Sequence, residues 1–216
     1  MNKEITIEEA MKFMHDGMTV MTGGFGHSGE PLQLEDAICE REFRDIHVIS
    51  NASGNPKKGV GKWVMKHMVK SMVCSHIGGC PETGRQMIAG ETEVTLVPQG
   101  TLAERIRCGG MGLGAFLTQT GVGTLVAEGK ETKVIDGVEY LVEYPLRAEI
   151  ALICGTKADR MGNIYYHAGS KNFNISMAGA ADLVIAEVNE IVEVGEIDPD
   201  LVGTPGILVD YIVKRR

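Results

Sequence analysis

No apolar run in the sequence reaches the roughly 18–20 residues that a membrane span needs, and no simple repeat recurs along it. Positive charge is scarce. With 21 Lys and Arg against 29 Asp and Glu the formal net charge is −8, which argues against a nucleic acid or a membrane surface as the main partner. Cysteine is sparse and odd in number (Cys39, Cys74, Cys80, Cys108, Cys154), scattered through strand- and helix-like segments. That suits reduced thiols in a cytoplasmic protein and not a disulfide framework. Cys74 and Cys80 with His76 match no standard zinc spacing, so no metal is expected. Residues 1–17 are polar and amphipathic, with Glu4, Glu8 and Glu9, unlike a secretory signal. What is left is a soluble, cytoplasmic chain of 216 residues, 44% apolar, able to bury a full α/β core.

The most informative stretch is MTVMTGGFGHSGEP, residues 18–31. It reads as an apolar strand running into four glycines within seven residues, then Glu30-Pro31 and an amphipathic helix through Leu34, Ala37 and Ile38. Upstream, Thr6-Ile7-Glu8-Glu9 spells a capping box, and Asp16-Gly17 a helix stop. Further strands are expected at Ile46–Ile49, Ser71–Ile77, Glu93–Val97, Ile150–Cys154, Leu183–Glu187 and Gly206–Val213, with a helix at Leu102–Arg107. Asp136-Gly137 between Thr132–Ile135 and Val138–Tyr144 predicts a hairpin. From Cys108 to Gly123 the composition predicts a long glycine-rich loop. Strands alternating with helices imply an α/β fold: an open, mainly parallel sheet flanked by helices, with a small β-hairpin region. The chain reads as one domain over 1–216. In such sheets ligands bind beyond the strand carboxyl ends, so loops 23–30, 50–56, 98–101 and 108–123 are expected to converge.

Gly24-Phe25-Gly26-His27-Ser28-Gly29 fits the G-x-G-x-x-G dinucleotide spelling. Its supports are missing. Glu30 stands where a pyrophosphate would need a helix N-terminus free of negative charge, and the strand ending at Ser50-Asn51 carries no acid for the ribose hydroxyls. A nicotinamide-dependent oxidoreductase is thus the weaker alternative, beside a non-catalytic module that binds acyl metabolites.

A second spelling of the same stretch, Gly23-Gly24-Phe25 followed by Gly29 and Pro31, with Asp16-Gly17 ahead of it, resembles the signature of family I coenzyme A transferases. Thr22 departs from the apolar residue usual there. PQGTLAERIRCGG (98–110), TGVGT (120–124), AEGK (127–130), NFN (172–174) and EVGEIDP (193–199) resemble the α subunit of the acetate/acetoacetate type. The resemblance spans the chain and implies a Rossmann-like transferase fold. It also implies coenzyme A as co-substrate with no tightly bound cofactor, and ping-pong exchange of coenzyme A between an acyl thioester and a free acid. The family's nucleophile is a glutamate in a Ser-Glu-Asn-Gly motif that this sequence lacks. The implied partner is a β subunit carrying it, in an α2β2-type assembly. Catalysis by this chain alone is not expected.

The same resemblance makes Gly23, Gly24, Phe25, Gly26, His27, Ser28 and Gly29 the coenzyme-facing loop. Gln99, Asn51 and Ser50, at strand ends, are neutral donors suited to orienting a substrate carboxylate or carbonyl. Gly109, Gly110 and Phe116 would form a pocket wall. Each has a plainer reading: a packing turn for the glycines, loop bracing for Gln99, an Asx-turn for Asn51, a solvated histidine for His27. Lys57, Lys58 and Lys62 are solvated lysines or contacts for coenzyme phosphates.

Overall fold

The structure, a computed structural model, describes residues 2–216. Thr6 caps the short α1 (Ile7–Ala10) as the sequence predicts. Its hydroxyl accepts the Glu9 N–H at 3.1 Å and the Glu9 carboxylate accepts the Thr6 N–H at 2.8 Å. Then come β1 (Thr19–Thr22), α2 (Leu32–Arg41), β2 (Ile46–Ser50), α3 (Val60–Met65), β3 (Val69–Cys74), α4 (Pro81–Ala89), β4 (Glu93–Leu96) and α5 (Gln99–Gly110). A small antiparallel sheet follows, β5 (Phe116–Thr118), β6 (Thr132–Ile135) and β7 (Val138–Glu143) in the order β5-β7-β6. The chain then returns through β8 (Ala148–Asp159), β9 (Ile164–Tyr165), α6 (Asn174–Gly179), β10 (Ala181–Val192) and β11 (Tyr211–Lys214).

The main sheet has the order β11-β10-β8-β1-β2-β3-β4, every neighbour parallel, with β9 antiparallel on β8. The chain winds outward from β1 in one direction and from β8 in the other, so the switch point lies between these two strands. Side chains alternate across the pleat. Val20, Ile150 and Leu152 join Trp63, Leu34 and Ile38 on one face. Met21, Ala151 and Ile153 join Leu102, Ile106 and Met177 on the other. Both faces are covered, as a parallel sheet requires. No helix among the described residues is long and apolar enough to cross a membrane, and all five cysteines are buried and free.

Several expected boundaries move for tertiary reasons. The apolar runs at 150–154 and 183–187 are the buried middles of two twelve-residue strands. The run at 206–213 divides into a 3-10 turn, Gly206–Leu208, and β11. The helix expected from Leu102 to Arg107 runs from Gln99 through Gly110. Its last two residues pack too closely on their neighbours for a side chain. A Cβ on Gly109 would collide with the Leu146 carbonyl, and one on Gly110 with the backbone of Gly179 in α6. The hairpin stands as expected, with Asp136 and Gly137 both at positive φ, 51° and 79°.

Candidate active site

A cavity of about 340 Å3 opens beyond the carboxyl ends of β1, β2, β3 and β4. β1 delivers Thr22 and the glycine loop, β2 delivers Ser50, Asn51 and Ala52, β3 leads to His76, and Gln99 begins the helix after β4. Three of the four loops expected to converge do so.

The glycine loop is tied down on both sides. Phe25 and Ser28 exchange N–H···O bonds at 3.0 Å around Gly26 and His27, which both take positive φ, 54° and 73°. This is a two-residue turn with a non-glycine residue in a left-handed conformation, which costs free energy and is held by its surroundings. His27 Nδ1 lies 3.6 Å from the Glu30 carboxylate. Gly24 (φ 116°) packs against the Glu30 side chain. Asn172 Nδ2 donates to Ser28 O (3.0 Å) and Asn174 Nδ2 to Gly29 O (3.0 Å), while Asn174 Oδ1 accepts the Cys154 N–H (2.8 Å). The NFN segment therefore fastens the loop to β8. Gly23 must be glycine, since a Cβ there would overlap the Asn174 amide. Among the described residues the N–H groups of Gly24 and Gly26 have no partner within the chain, so they remain free for a ligand.

Across the cavity from the loop, Asn51 and Gln99 meet, with Ser75 behind them. Asn51 Nδ2 donates to Gln99 Oε1 at 2.7 Å, and the Ser75 hydroxyl contacts both Gln99 Oε1 and the Asn51 carbonyl, the latter at 2.8 Å. With its oxygen so engaged, Gln99 has its NH2 group without a partner among the described residues, on an exposed side chain at the cavity. Ser50 turns inward instead, its hydroxyl donating to Ala52 O at 2.8 Å. Ser75 went unnoticed in the sequence. The available signal was its place one residue past β3, matching Asn51 past β2.

The remaining expected positions divide. Gly23, Gly24, Phe25, Gly26 and His27 line the cavity, whereas Ser28 and Gly29 stand behind it in the turn and its anchor. Gly109 and Gly110 do not form a wall of it: they are packed into the end of α5, and Phe116 lies in the small sheet on β7. Lys62 is held by Asp36 at 2.7 Å, and Lys57 and Lys58 are exposed off the cavity.

Two of the buried acids lie near the glycine loop and carry no signal in the sequence. Glu187 of β10 accepts the N–H groups of Gln33 and Leu34, both at 2.9 Å, at the start of α2. Glu35 of α2 lines the cavity at 2% exposure. Burial pushes its carboxyl up to about 8, aided by Glu30, Glu187 and Asp36 and opposed by the Thr22 hydroxyl. A family model described as coenzyme A transferase matches residues 4–215.

The chain belongs to the coenzyme A transferase family. The transferase chain is 48% identical over 214 residues to the acetate CoA-transferase subunit alpha of Escherichia coli K12, covering 99% of this chain and 97% of that one. It is 45% identical to the acetoacetyl-CoA:acetate/butyrate CoA transferase alpha subunit of Clostridium acetobutylicum, with 99% and 98% covered. Among solved structures, an acyl-CoA transferase of Escherichia coli O157:H7, in a thioester complex with CoA, superposes with a TM-score of 0.89 at 22% identity. That match covers 99% of this chain and 47% of the other, and speaks to the fold. Neither the oxidoreductase nor the non-catalytic alternative finds support here. The geometry of the transferase chain supplies a reason against the first: the α2 amides that a pyrophosphate would use are already taken by Glu187.

Proposed function

We propose that this chain is the α subunit of a short-chain acyl-CoA:carboxylate CoA-transferase, with the nucleophilic glutamate on a β subunit carrying a Ser-Glu-Asn-Gly motif in an α2β2-type assembly. The observation that carries the reading is the meeting of the glycine loop with Asn51 and Gln99, the latter braced by Ser75, on one cavity, in a chain 48% identical to an acetate CoA-transferase α subunit. Neither carboxyl on the cavity wall suits the nucleophile's task. Glu35 is buried and kept neutral, and Glu30 packs beneath Gly24 next to His27.

The chemistry fits these parts. A glutamate carboxylate on the partner attacks the thioester carbonyl and expels coenzyme A thiolate, leaving an acyl-glutamyl anhydride. The thiolate attacks the glutamyl carbonyl, releasing the first acid and leaving a glutamyl thioester. The second acid then runs the sequence backwards, which gives ping-pong kinetics. Each attack places negative charge on a carbonyl oxygen, and preorganised donors stabilise it. The free Gly24 and Gly26 amides and the Gln99 NH2 are suited to this. Being neutral, they do so without pairing to the glutamate and blunting its nucleophilicity.

Reconstitution tests the reading. The purified chain is expected to be inactive alone and to exchange coenzyme A between acetyl-CoA and acetoacetate or butyrate once mixed with a Glu-bearing β subunit. Turnover by the isolated chain would reject it.

A further inference from the structure

The transferase reading gives the reacting carboxyl to Asn51 and Gln99 and leaves the far end of the acid unassigned. The end of β3 supplies a group for it. Along that strand Val73 faces the cluster of Leu102 and Ile106, and Cys74 the cluster of Val60 and Trp63 on the opposite face. The alternation carries past the strand. Ser75 meets Gln99 on the α5 side, and His76, paired in parallel with Ala52, turns to the side of Val60. The Ser53 N–H donates to the His76 carbonyl at 3.0 Å and fixes its backbone. The ring is seated as well. Gly78 takes no positive φ, so its backbone does not call for glycine. The atoms nearest to a Cβ there would be Cε1 of the His76 ring at 2.9 Å and Nε2 at 3.0 Å. A side chain at 78 would push the ring from its place.

His76 lines the cavity and is exposed. Among the described residues the rings of His15, His27, His47 and His67 have partners in the chain, and the ring of His76 has none. Other polar side chains of the wall are engaged: His27 lies 3.6 Å from Glu30, the Ser50 hydroxyl donates to Ala52 O, and the Thr22 hydroxyl bonds the buried Glu35. The lining that His76 shares with Ala52, Gly54, Val60 and Gly79 offers no other polar side chain. We propose that His76 sets the acid specificity. Its ring donates a hydrogen bond to an oxygen at the far end of the acid, the 3-oxo group of an acid such as acetoacetate, which butyrate lacks. In either protonation state an imidazole has an N–H to give. One donor in an otherwise apolar lining orients a ligand and separates two acids of equal chain length. His76 takes no part in the bond changes. The inference rests on the transferase reading.

The test uses the chain reconstituted with its Glu-bearing partner, acetyl-CoA as donor, and acetoacetate and butyrate as acceptors of equal chain length. His76→Leu is expected to lower the acetoacetate-to-butyrate ratio of kcat/KM about tenfold, the worth of one hydrogen bond. The change should fall mainly on KM for acetoacetate. His76→Gln keeps an N–H donor and should recover part of the ratio, and Gly78→Ala, which displaces the ring without removing it, should lower it. An unchanged ratio in His76→Leu, whether both acids slow together or neither does, overturns the proposal. Should that variant fail to assemble, NMR of the complex with the histidines of this chain labelled decides. The His76 ring resonance, assigned by its absence in His76→Gln, should move with acetoacetate and not with butyrate, and an equal response to both acids overturns the proposal. A wild-type complex that exchanges no coenzyme A would instead reject the transferase reading itself.

Discussion

Glu187 of β10 and Arg215, the residue after β11, form an ion pair, Arg215 Nε donating to Glu187 Oε1 at 2.7 Å, with the Glu187 side chain fully buried. The same arginine donates to Glu30 O at 2.9 Å and contacts Cys154 Sγ at 3.4 Å. One side chain near the end of the chain thus joins the start of α2, the foot of the glycine loop and the middle of the sheet.

Breaking that pair leaves an uncompensated buried carboxylate. Arg215→Met is expected to destabilise the protein by about 3 kcal/mol, read as a lower urea midpoint. Burial already pushes the Glu187 carboxyl up, so adding Glu187→Gln should recover part of the loss. A double mutant no more stable than Arg215→Met would contradict this.

Glu35 makes stability depend on pH in a direction unusual for an acid. Its carboxyl titrates at about 8 when folded, against 4.5 for the ordinary value. Between these pH values the folded state holds a proton that the unfolded state has lost, so stability falls as pH rises from 4.5 to 8 and levels beyond. Glu35→Gln should flatten that slope. Urea melts at pH 5, 6.5 and 8 check it, and parallel slopes for both proteins would refute it.

Gln99 and Asn51 are expected to act as a unit. In the reconstituted enzyme Gln99→Ala should lower kcat by up to about a hundredfold, on the order of 3 kcal/mol, with little effect on assembly. Because Asn51 donates to Gln99 at 2.7 Å, Asn51→Ala should add little to it, a coupling of about 1 kcal/mol or more in a double-mutant cycle. Additive losses would show that the contact does not position Gln99.

Asn174 should matter for the loop more than for the sheet. Asn174→Leu strands the Cys154 N–H and the Gly29 carbonyl, at a cost of about 2 kcal/mol. Gly23→Ala should resemble it, since the new methyl displaces the same amide. Hydrogen exchange is the readout: both variants should lose protection over residues 23–30 before β8 does. Uniform loss along the chain would contradict the assignment.

Much of this architecture was legible in the sequence, where local chemistry decides local structure. The Thr6–Glu9 box, the Asp136-Gly137 hairpin and the glycine loop at the end of β1 all stand as read, because each depends on residues a few positions apart. What could not be read depends on distant contacts. Gly109 and Gly110 look like loop residues until Leu146 and Gly179 are seen to leave no room for a side chain. Glu35 looks like a surface residue of an amphipathic helix, and only the approach of Gly59 and Glu187 shows that it is buried. Ser75 lacks a motif, and gains its place from the register of β3 beside β2.

Among the described residues the cavity wall holds two glutamates and two histidines but no lysine or arginine. On a chain of net charge −8, this wall exerts no long-range pull on an approaching carboxylate. Electrostatic steering, which speeds the capture of ions by oppositely charged clefts, is not built into this wall. On the function proposed above, selection of an acid at this wall would act at contact distance, by fit and by hydrogen bonds. Added salt, which screens repulsion over about 8–10 Å, eases its approach.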